Sequence, residues 1–444
     1  MTFRAGEFYK NKQKWQQAIH ETKETGGFVP RFLEEAVDRG GVNVRHRDFT
    51  NNNAKNVIFR GHNFGSHKAL MQKEFRNSSS ISKNIEEVGM EIQLLLDSGA
   101  IEEVSEEEAK SPGSLVSPIL WITQMKPDGT KKCRLIHHDM WNYQYSRPKF
   151  TLTDIAAELD ILAEFLEIEK HDLEKAFYQV SVTPESSKTL RFKIRLHGRT
   201  KFYQWKVLCM GISSAPFIVQ SSGWLLTETF GRNFKVYISL FIDDFWLEVD
   251  NGDNRPNFVA WASTFGLRFK ISKSERGSSI TILGVLLDLI KKTAQITPDK
   301  AAAIAGDGAL MLESGKASPK QLATFYGRVE FAARVSSLGR SHTLELTKMM
   351  GRTDMNTNEL SDSQTLTLDE AAKDDIRFWV GVKDHQKLQI GARKHRNAKL
   401  LSSDSSGSRW AFTVGDKSVA SDFPADMRND HINVKEAYWV VTLT

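Results

Sequence analysis

Cysteine is almost missing from this chain, with only Cys133 and Cys209 in 444 residues. That excludes a disulfide framework and a cysteine-rich zinc module, and it fits a reducing, intracellular location in cytoplasm or nucleus. Proline is scarce at 11 and glycine unexceptional at 29, so neither a collagen-like nor a low-complexity chain is in question. No run of about 18 apolar residues occurs, which leaves no membrane-spanning helix to expect and predicts no membrane partner. Met1 to Gly26 has no apolar stretch of the kind a secretory signal needs. Nor does one charge dominate. The 60 Lys and Arg face 55 Asp and Glu for a net +5, too little by itself to mark a polyanion binder. What remains is a globular composition, 40% hydrophobic and 26% charged, with length for two to three domains at roughly 100–200 residues each.

Residues 1–84 are polar and weakly periodic, with loop markers at Asn51-Asn52-Asn53 and Ser78-Ser79-Ser80. They read as an N-terminal extension rather than a core. Val88, Ile92, Leu95 and Leu96 then recur at helical spacing before Gly99, which predicts an amphipathic helix over Ile85–Ala100. An acidic run follows at Glu102–Glu108; such runs are mostly solvated faces. Strands are predicted over Leu115–Thr123 and Lys132–His137, joined through the turn Lys126-Pro127-Asp128-Gly129. Further on come a helix near Leu152–Phe165, a strand into Asp172, a strand pair at Arg191–Arg195 and Lys201–Val207, and a helix from Ala215. A strand–turn–strand spans Val236–Val249, and a strand lies at Ile280–Leu287. Helices mixed with hairpins predict an α+β fold rather than a doubly wound sheet. Beyond Pro298 the pattern is helical. Ser318-Pro319-Lys320-Gln321 and Thr367-Leu368-Asp369-Glu370 each carry a capping-box signature. Strand character returns near Leu400, which places a boundary around residues 385–398.

The sharpest chemical signal is Phe241-Ile242-Asp243-Asp244, two acids between two apolar runs. Side chains alternate along a strand, so Asp243 and Asp244 are not expected to face one site together. A second acid, Asp172, ends a predicted strand. Taken alone, Asp172 reads as a helix N-cap ahead of a ligand, and Asp243-Asp244 reads equally as a plain turn. Two-metal phosphoryl transfer, however, takes carboxylates from separate strands, because two cations about 3.5–4 Å apart need dense negative charge around them.

Asp172-Leu173-Glu174-Lys175-Ala176-Phe177 resembles the first palm motif of reverse transcriptases, and Phe241-Ile242-Asp243-Asp244 resembles their aromatic-x-Asp-Asp motif. Between them Leu208–Gln220 resembles the family's glycine loop, leading into a helix that ends on Gln. Lys126–Thr130 with Arg134–His138 is similar to the fingers hairpin, and Ile282-Leu283-Gly284-Val285 to the primer-grip hairpin. The resemblance covers about residues 85–385 and departs at Cys209-Met210, where many members have Pro-Gln or Pro-Phe. It departs again at Arg134–Asn142, which lacks the usual Asp-x-Arg. It implies a right-hand polymerase, with fingers and palm over 85–298 and a helical thumb and connection over 299–397. Asp172, Asp243 and Asp244 would be catalytic and metal-holding, with two Mg²⁺ ions for which Mn²⁺ can substitute. Lys126, Arg134, Phe177, Met210 and Gly211 would meet the nucleotide, Phe177 as a sugar gate, and Leu283 and Gly284 the primer. Without the resemblance, Phe177 is a core ring, Gly211 a turn glycine, and Lys126 and Arg134 surface charges.

Leu400–Ala411 resembles the first strand and hairpin of RNase H, with Asp404 its first acid, and His431–Glu436 resembles the helix carrying the second, Glu436. The implied domain is 398–444. The sequence ends at Thr444 before further family carboxylates, so the expectation is an incomplete nuclease without activity of its own. The lead-in His431-Ile432-Asn433 leans toward a DIRS-type or related LTR-like retrotransposon. The implied partners are an RNA or DNA template with its primer, and deoxynucleoside triphosphates. Two rivals stand beside this reading, an RNA-dependent RNA polymerase and a decayed or domesticated element that binds nucleic acid without synthesis. Phe177 and the RNase H-like end oppose the first, and the retained aspartates the second.

Overall fold

Asn11 accepts a hydrogen bond from the Lys14 N–H at 3.4 Å and starts helix α1 (Lys12–Glu24). Helix α2 (Arg31–Arg39) follows and stops at Gly40, whose φ is +68°. These helices correct the reading of residues 1–84 as an extension without a core. Trp15, Ala18 and Ile19 of α1 and Phe32, Leu33, Ala36 and Val37 of α2 are buried in the first of two hydrophobic cores. The Trp15 Nε1–H donates to the carbonyls of Phe8 at 2.8 Å and Phe265 at 2.9 Å, tying the N-terminal segment to a distant part of the chain. The apolar stripes are real, but each sits in a helix dominated by charged and amide side chains, so average polarity hides them.

The computed structural model describes residues 3–46, 49, 58–59, 62–63, 74–125, 129–143, 150–249, 255–352, 365–382, 387–391, 401–405, 408–414 and 417–423. They fall in two units, 1–391 and 392–444.

In the first unit α3 (Ile85–Asp97) buries Val88, Ile92 and Leu95 as their spacing predicts. The acidic run is absorbed by structure. Strand β1 (Ile101–Val104) pairs Glu103 with Lys201 at 2.9 Å, and Glu108 pairs with the fully buried Arg191 at 2.9 Å. Strands β2 (Ile119–Met125) and β3 (Lys131–His137) form an antiparallel hairpin running from Ile119 opposite His137 to Met125 opposite Lys131. Then come α4 (Ile155–Leu162), β4 (Ile168–Asp172), β5 (Arg191–Leu196) and β6 (Arg199–Trp205). Helix α5 (Ala215–Phe234) is 20 residues long, so Gln220 lies near its start and not at its end as expected. Strands β7 (Ile238–Phe241), β8 (Asp244–Glu248) and β9 (Glu275–Gly277) complete a sheet in the order β9-β4-β8-β7, antiparallel throughout. This sheet separates the two cores. Alternation along β8 sends Phe245 and Leu247 into the first core and Trp246 into the second, all fully buried.

The predicted strand at Ile280–Leu287 is two strands, β10 (Ser279–Ile282) and β11 (Val285–Asp288), because Leu283 and Gly284 both take positive φ and reverse the chain. They continue into β12 (Thr293–Ile296) and β13 (Leu388–Gln389). Four helices pack on the same core, α6 (Pro298–Ser314), α7 (Pro319–Ala333), α8 (Leu344–Arg352) and α9 (Glu370–Val380). Ser318 and Gln321 form the predicted reciprocal capping box of α7. At α9 the cap is Asp369, accepting from the Ala372 N–H at 2.9 Å. Thr367, predicted for that place, instead pairs with Lys316 in a short two-stranded ladder. The second unit contains an antiparallel meander, β14 (Leu401–Ser405), β15 (Arg409–Val414) and β16 (Lys417–Asp422). No helix among the described residues is long and apolar enough to cross a membrane.

Candidate active site

The antiparallel register of β4 and β8 sets Asp172 directly opposite Asp244. Asp243 occupies the two-residue turn between β7 and β8, where Asp244 pairs with Phe241. The Leu173 N–H donates to the Asp243 carbonyl at 2.9 Å, which stitches the turn to the end of β4. Strand alternation therefore does not separate Asp243 from Asp244, since Asp243 is a turn residue and only Asp244 belongs to the strand. All three acids are partly buried at one edge of the sheet.

The turn is held from behind. Ile242 has φ +56°, a conformation that β-branched residues rarely adopt. Its N–H donates to the Gln220 Oε1 at 2.5 Å, while the Gln220 Nε2–H donates to the Leu240 carbonyl at 3.4 Å. Gln220 is fully buried, so α5 fixes the tip with a side chain that water cannot replace. The Leu240 carbonyl also accepts from the Thr153 Oγ–H at 2.7 Å.

Burial, followed by the charges of Asp244 and Asp172, pushes the Asp243 carboxyl up to about 6. Burial is also the main cause of the rise at Asp244, offset by Lys170 and Lys273. The site thus carries more negative charge than its surroundings neutralise. Among the described residues one ammonium touches it. The Lys273 Nζ lies 2.7 Å from the Asp172 Oδ2, and Lys273 rises above its ordinary value chiefly through that hydrogen bond. Among the described residues no three His, Cys, Asp or Glu side chains are already gathered as a metal cage. Neither Lys273 nor Lys170 was singled out from the sequence. Lys170 lies two residues before Asp172 on the same strand face, a signal available in principle, whereas nothing in Ile271-Ser272-Lys273-Ser274 marks Lys273.

The glycine loop is built against the β2–β3 hairpin. The His137 N–H donates to the Met210 carbonyl at 2.8 Å, and Asn142 bridges the turn by donating to the Gly211 carbonyl at 2.5 Å and accepting from the Ser213 N–H at 2.9 Å. Gly211 has φ +112°, and a Cβ there would stand 1.9 Å from the His137 carbonyl oxygen, so a close approach within the protein already requires glycine. His137 is fully buried, and desolvation lowers it to about 4. Phe177 lies in the short helical turn Ala176–Gln179, half-buried with part of its ring against the first core. Arg134, on β3, donates to the Gln124 Oε1 at 3.2 Å.

At the β10–β11 turn, Leu283 and Gly284 have φ +49° and +78°, as a hairpin turn with two left-handed residues demands. The Lys300 Nζ donates to the Gly284 carbonyl at 3.3 Å and sits 4.1 Å from the centroid of the Phe331 ring. Asp404 on β14 pairs with Ala411 on β15. Lys126 and Glu436 lie outside the described residues.

Residues 120–287 match the family model described as "Reverse transcriptase (RNA-dependent DNA polymerase)". No curated protein matches the chain. Among solved structures it is similar to a foamy viral protease-reverse transcriptase in complex with dsDNA, at 14% identity and TM-score 0.55, over 96% of this chain and 85% of that one. A foamy viral protease-reverse transcriptase dRH with ds DNA gives 15% identity and TM-score 0.54, over 84% of this chain and 62% of its own length. A third, with an RNA/DNA hybrid, gives 15% and 0.52, over 84% of this chain and 47% of its own. At such identities the likeness speaks for the fold. The matched segment runs from the β2–β3 hairpin to β11 and encloses Asp172, Asp243 and Asp244, so the reverse transcriptase likeness covers the part of the chain that carries the three acids.

Proposed function

We propose that the chain is the RNA-directed DNA polymerase of a retrotransposon, working as a right-hand polymerase. On this reading the β2–β3 hairpin belongs to the fingers, the β9-β4-β8-β7 sheet is the palm, and α6 to α9 are the thumb and connection. The β10–β11 turn would be the primer grip. The observation that carries the proposal is the β4–β8 register, which brings Asp172 and Asp244 face to face with Asp243 at the adjoining tip.

The donor set fits a hard divalent cation, since it consists of carboxylate oxygens, and burial together with the neighbouring charges of Asp244 and Asp172 pushes the Asp243 carboxyl up. Mg²⁺ or Mn²⁺ held by Asp172 and Asp243, with Asp244 in support, would activate the primer 3′-hydroxyl and neutralise the departing pyrophosphate. The protein's own part is placement. Gln220 fixes the tip that presents Asp243, and Asn142 fixes the Gly211 loop beside the β2–β3 hairpin. Phe177, with one part of its ring free of the core, is the surface against which a ribose 2′-hydroxyl would collide. The primer 3′-hydroxyl would then release its proton to water and bond through its oxygen to the α-phosphorus of the incoming deoxynucleotide as the bond to pyrophosphate breaks. The β14–β16 meander supports reading residues 398–444 as the start of an RNase H-like domain, with Asp404 and Glu436 its acids.

Primer extension on an RNA template with Mg²⁺ tests the polymerase reading. Asp172→Asn and Asp243→Asn should each lower extension by roughly 10³-fold or more, with template–primer affinity within a few-fold of the parent. Near-normal extension by either variant would overturn the assignment.

A further inference from the structure

The short turn Ile271–Lys273 is suspended from the end of β4. The Lys270 N–H donates to the Asp172 carbonyl at 2.8 Å, and Ser274 Oγ and His171 Nδ1 share a hydrogen bond at 3.0 Å. From this fixed backbone Lys273 reaches across to the Asp172 carboxylate at 2.7 Å, with half of its side chain still in solvent while Asp172 is only 18% exposed. The ammonium can therefore swing away into water, and the carboxylate cannot. Its field is felt at Asp243 and Asp244 as well. A second cation near the site, Lys170, is tethered elsewhere, donating to the Thr281 carbonyl at 3.2 Å. A divalent cation drawn to Asp172 would meet the Lys273 ammonium on that carboxylate, and two cations crowded on it repel each other.

We infer that Lys273 is the resident counter-charge of the catalytic carboxylates, holding Asp172 in place between turnovers and yielding it when a divalent cation enters. Lys273 is thus a positioning residue that sets the concentration of metal the site requires. This rests on the polymerase reading above, in which Asp172 is a metal ligand. The arrangement has a physical rationale. Without an ammonium, three carboxylates would share one partly desolvated edge and repel one another. An ammonium bonded too deeply would exclude the metal. A half-exposed lysine lies between these limits, because its ammonium keeps part of its hydration and gives up the carboxylate at little cost.

The test is a Mn²⁺ titration of the full chain, without nucleotide or nucleic acid, following free Mn²⁺ by electron paramagnetic resonance. Lys273→Met should bind Mn²⁺ roughly three- to tenfold more tightly than the parent, a change equal to ~0.7–1.4 kcal/mol. Lys273→Arg keeps the charge and should bind no more tightly than the parent, and Asp172→Asn should lose the site. In metal-free buffer Lys273→Met should melt below the parent, and saturating Mn²⁺ should close that gap. Should the methionine variant fail to fold, Lys273→Gln carries the same expectations with a polar side chain. Equal or weaker Mn²⁺ binding by the neutral variants overturns the role of Lys273 while leaving the polymerase reading intact. Absence of any Asp172-dependent Mn²⁺ binding in the parent overturns the metal assignment itself, and this inference with it.

Discussion

Two hairpins, β7–β8 and β10–β11, are each closed by a two-residue tip, and the tips are built in opposite ways. The β10–β11 tip is Leu283-Gly284, both left-handed, with glycine supplying one of the two positive φ values at no steric cost. The β7–β8 tip is Ile242-Asp243, where a β-branched residue takes φ +56° and the next carries a partly buried carboxylate. The first tip is what a turn prefers. The second violates that preference twice and is kept in place by a fully buried glutamine from α5. Strain and unneutralised charge are concentrated at the tip that must present an acid, and they are borne by packing contributed from elsewhere.

The largest effect should come from removing that support. Gln220→Leu deprives the Ile242 N–H of its acceptor and leaves the strained tip unbraced. It should cost about 2–3 kcal/mol in urea unfolding, from a partly buried backbone donor left without its acceptor and an apolar side chain facing it. Extension rate should fall with it while template–primer affinity holds. The β10–β11 tip has its own tie to Lys300, so its geometry should be indifferent to this change. Unaltered stability in Gln220→Leu would mean that the tip does not depend on α5.

The charge on the β7–β8 tip gives a pH signature that the other tip lacks. The Asp243 carboxyl lies at about 6 in the folded protein, above its value of about 3.9 in an unfolded chain. Between those values the folded state binds more protons, so stability falls as pH rises from about 4 through 6. Asp243→Asn removes the effect. In buffer free of divalent cations the variant should be more stable than the parent by about 1–2 kcal/mol at pH 7, with the gap closing toward pH 4. A residue whose loss stabilises the fold while abolishing extension would be held there by chemistry rather than packing. A gap that stays constant with pH would contradict the burial of that carboxylate.

The same contrast explains what the sequence disclosed. The β10–β11 tip is legible as a turn because its glycine obeys a local rule. The β7–β8 tip is legible for the opposite reason, two acids between apolar runs where nothing local calls for them. The capping box at Ser318 and the apolar spacing of α3 are local too, and both appear in the structure. Long-range dependences left no local trace. Trp15 sits in a helix of lysines and glutamines, and only its contacts with Phe8 and Phe265 show it to be core. Lys273 becomes part of the site only because its turn hangs from Asp172. Asp369 displaced Thr367 as a cap because Thr367 was claimed by a strand pairing with Lys316.

Exchanging the glycine requirement between the two tips tests the contrast at its smallest scale. At Gly284 a Cβ would stand 1.9 Å from the Lys300 Nζ, the end of a flexible side chain that can move only by giving up its place on the Phe331 ring and the Gly284 carbonyl. Gly284→Ala should therefore cost about 1–2 kcal/mol, the left-handed penalty of a non-glycine residue plus part of those contacts. Ile242→Gly removes a comparable penalty but also loses a partly buried side chain packed on the first core, and it adds about 0.5–1 kcal/mol of unfolded-state entropy. These contributions oppose each other, so its net stability change should stay within about 0.5 kcal/mol of zero. Its extension rate should still drop, because the turn that aims Asp243 loses its stiffness. Urea unfolding and single-turnover extension on the two variants separate the cases, since one substitution should register in stability and the other in rate. If Ile242→Gly destabilised the protein as much as Gly284→Ala, the isoleucine would be there for its packing alone, and the β7–β8 tip would hold no strain for Gln220 to contain.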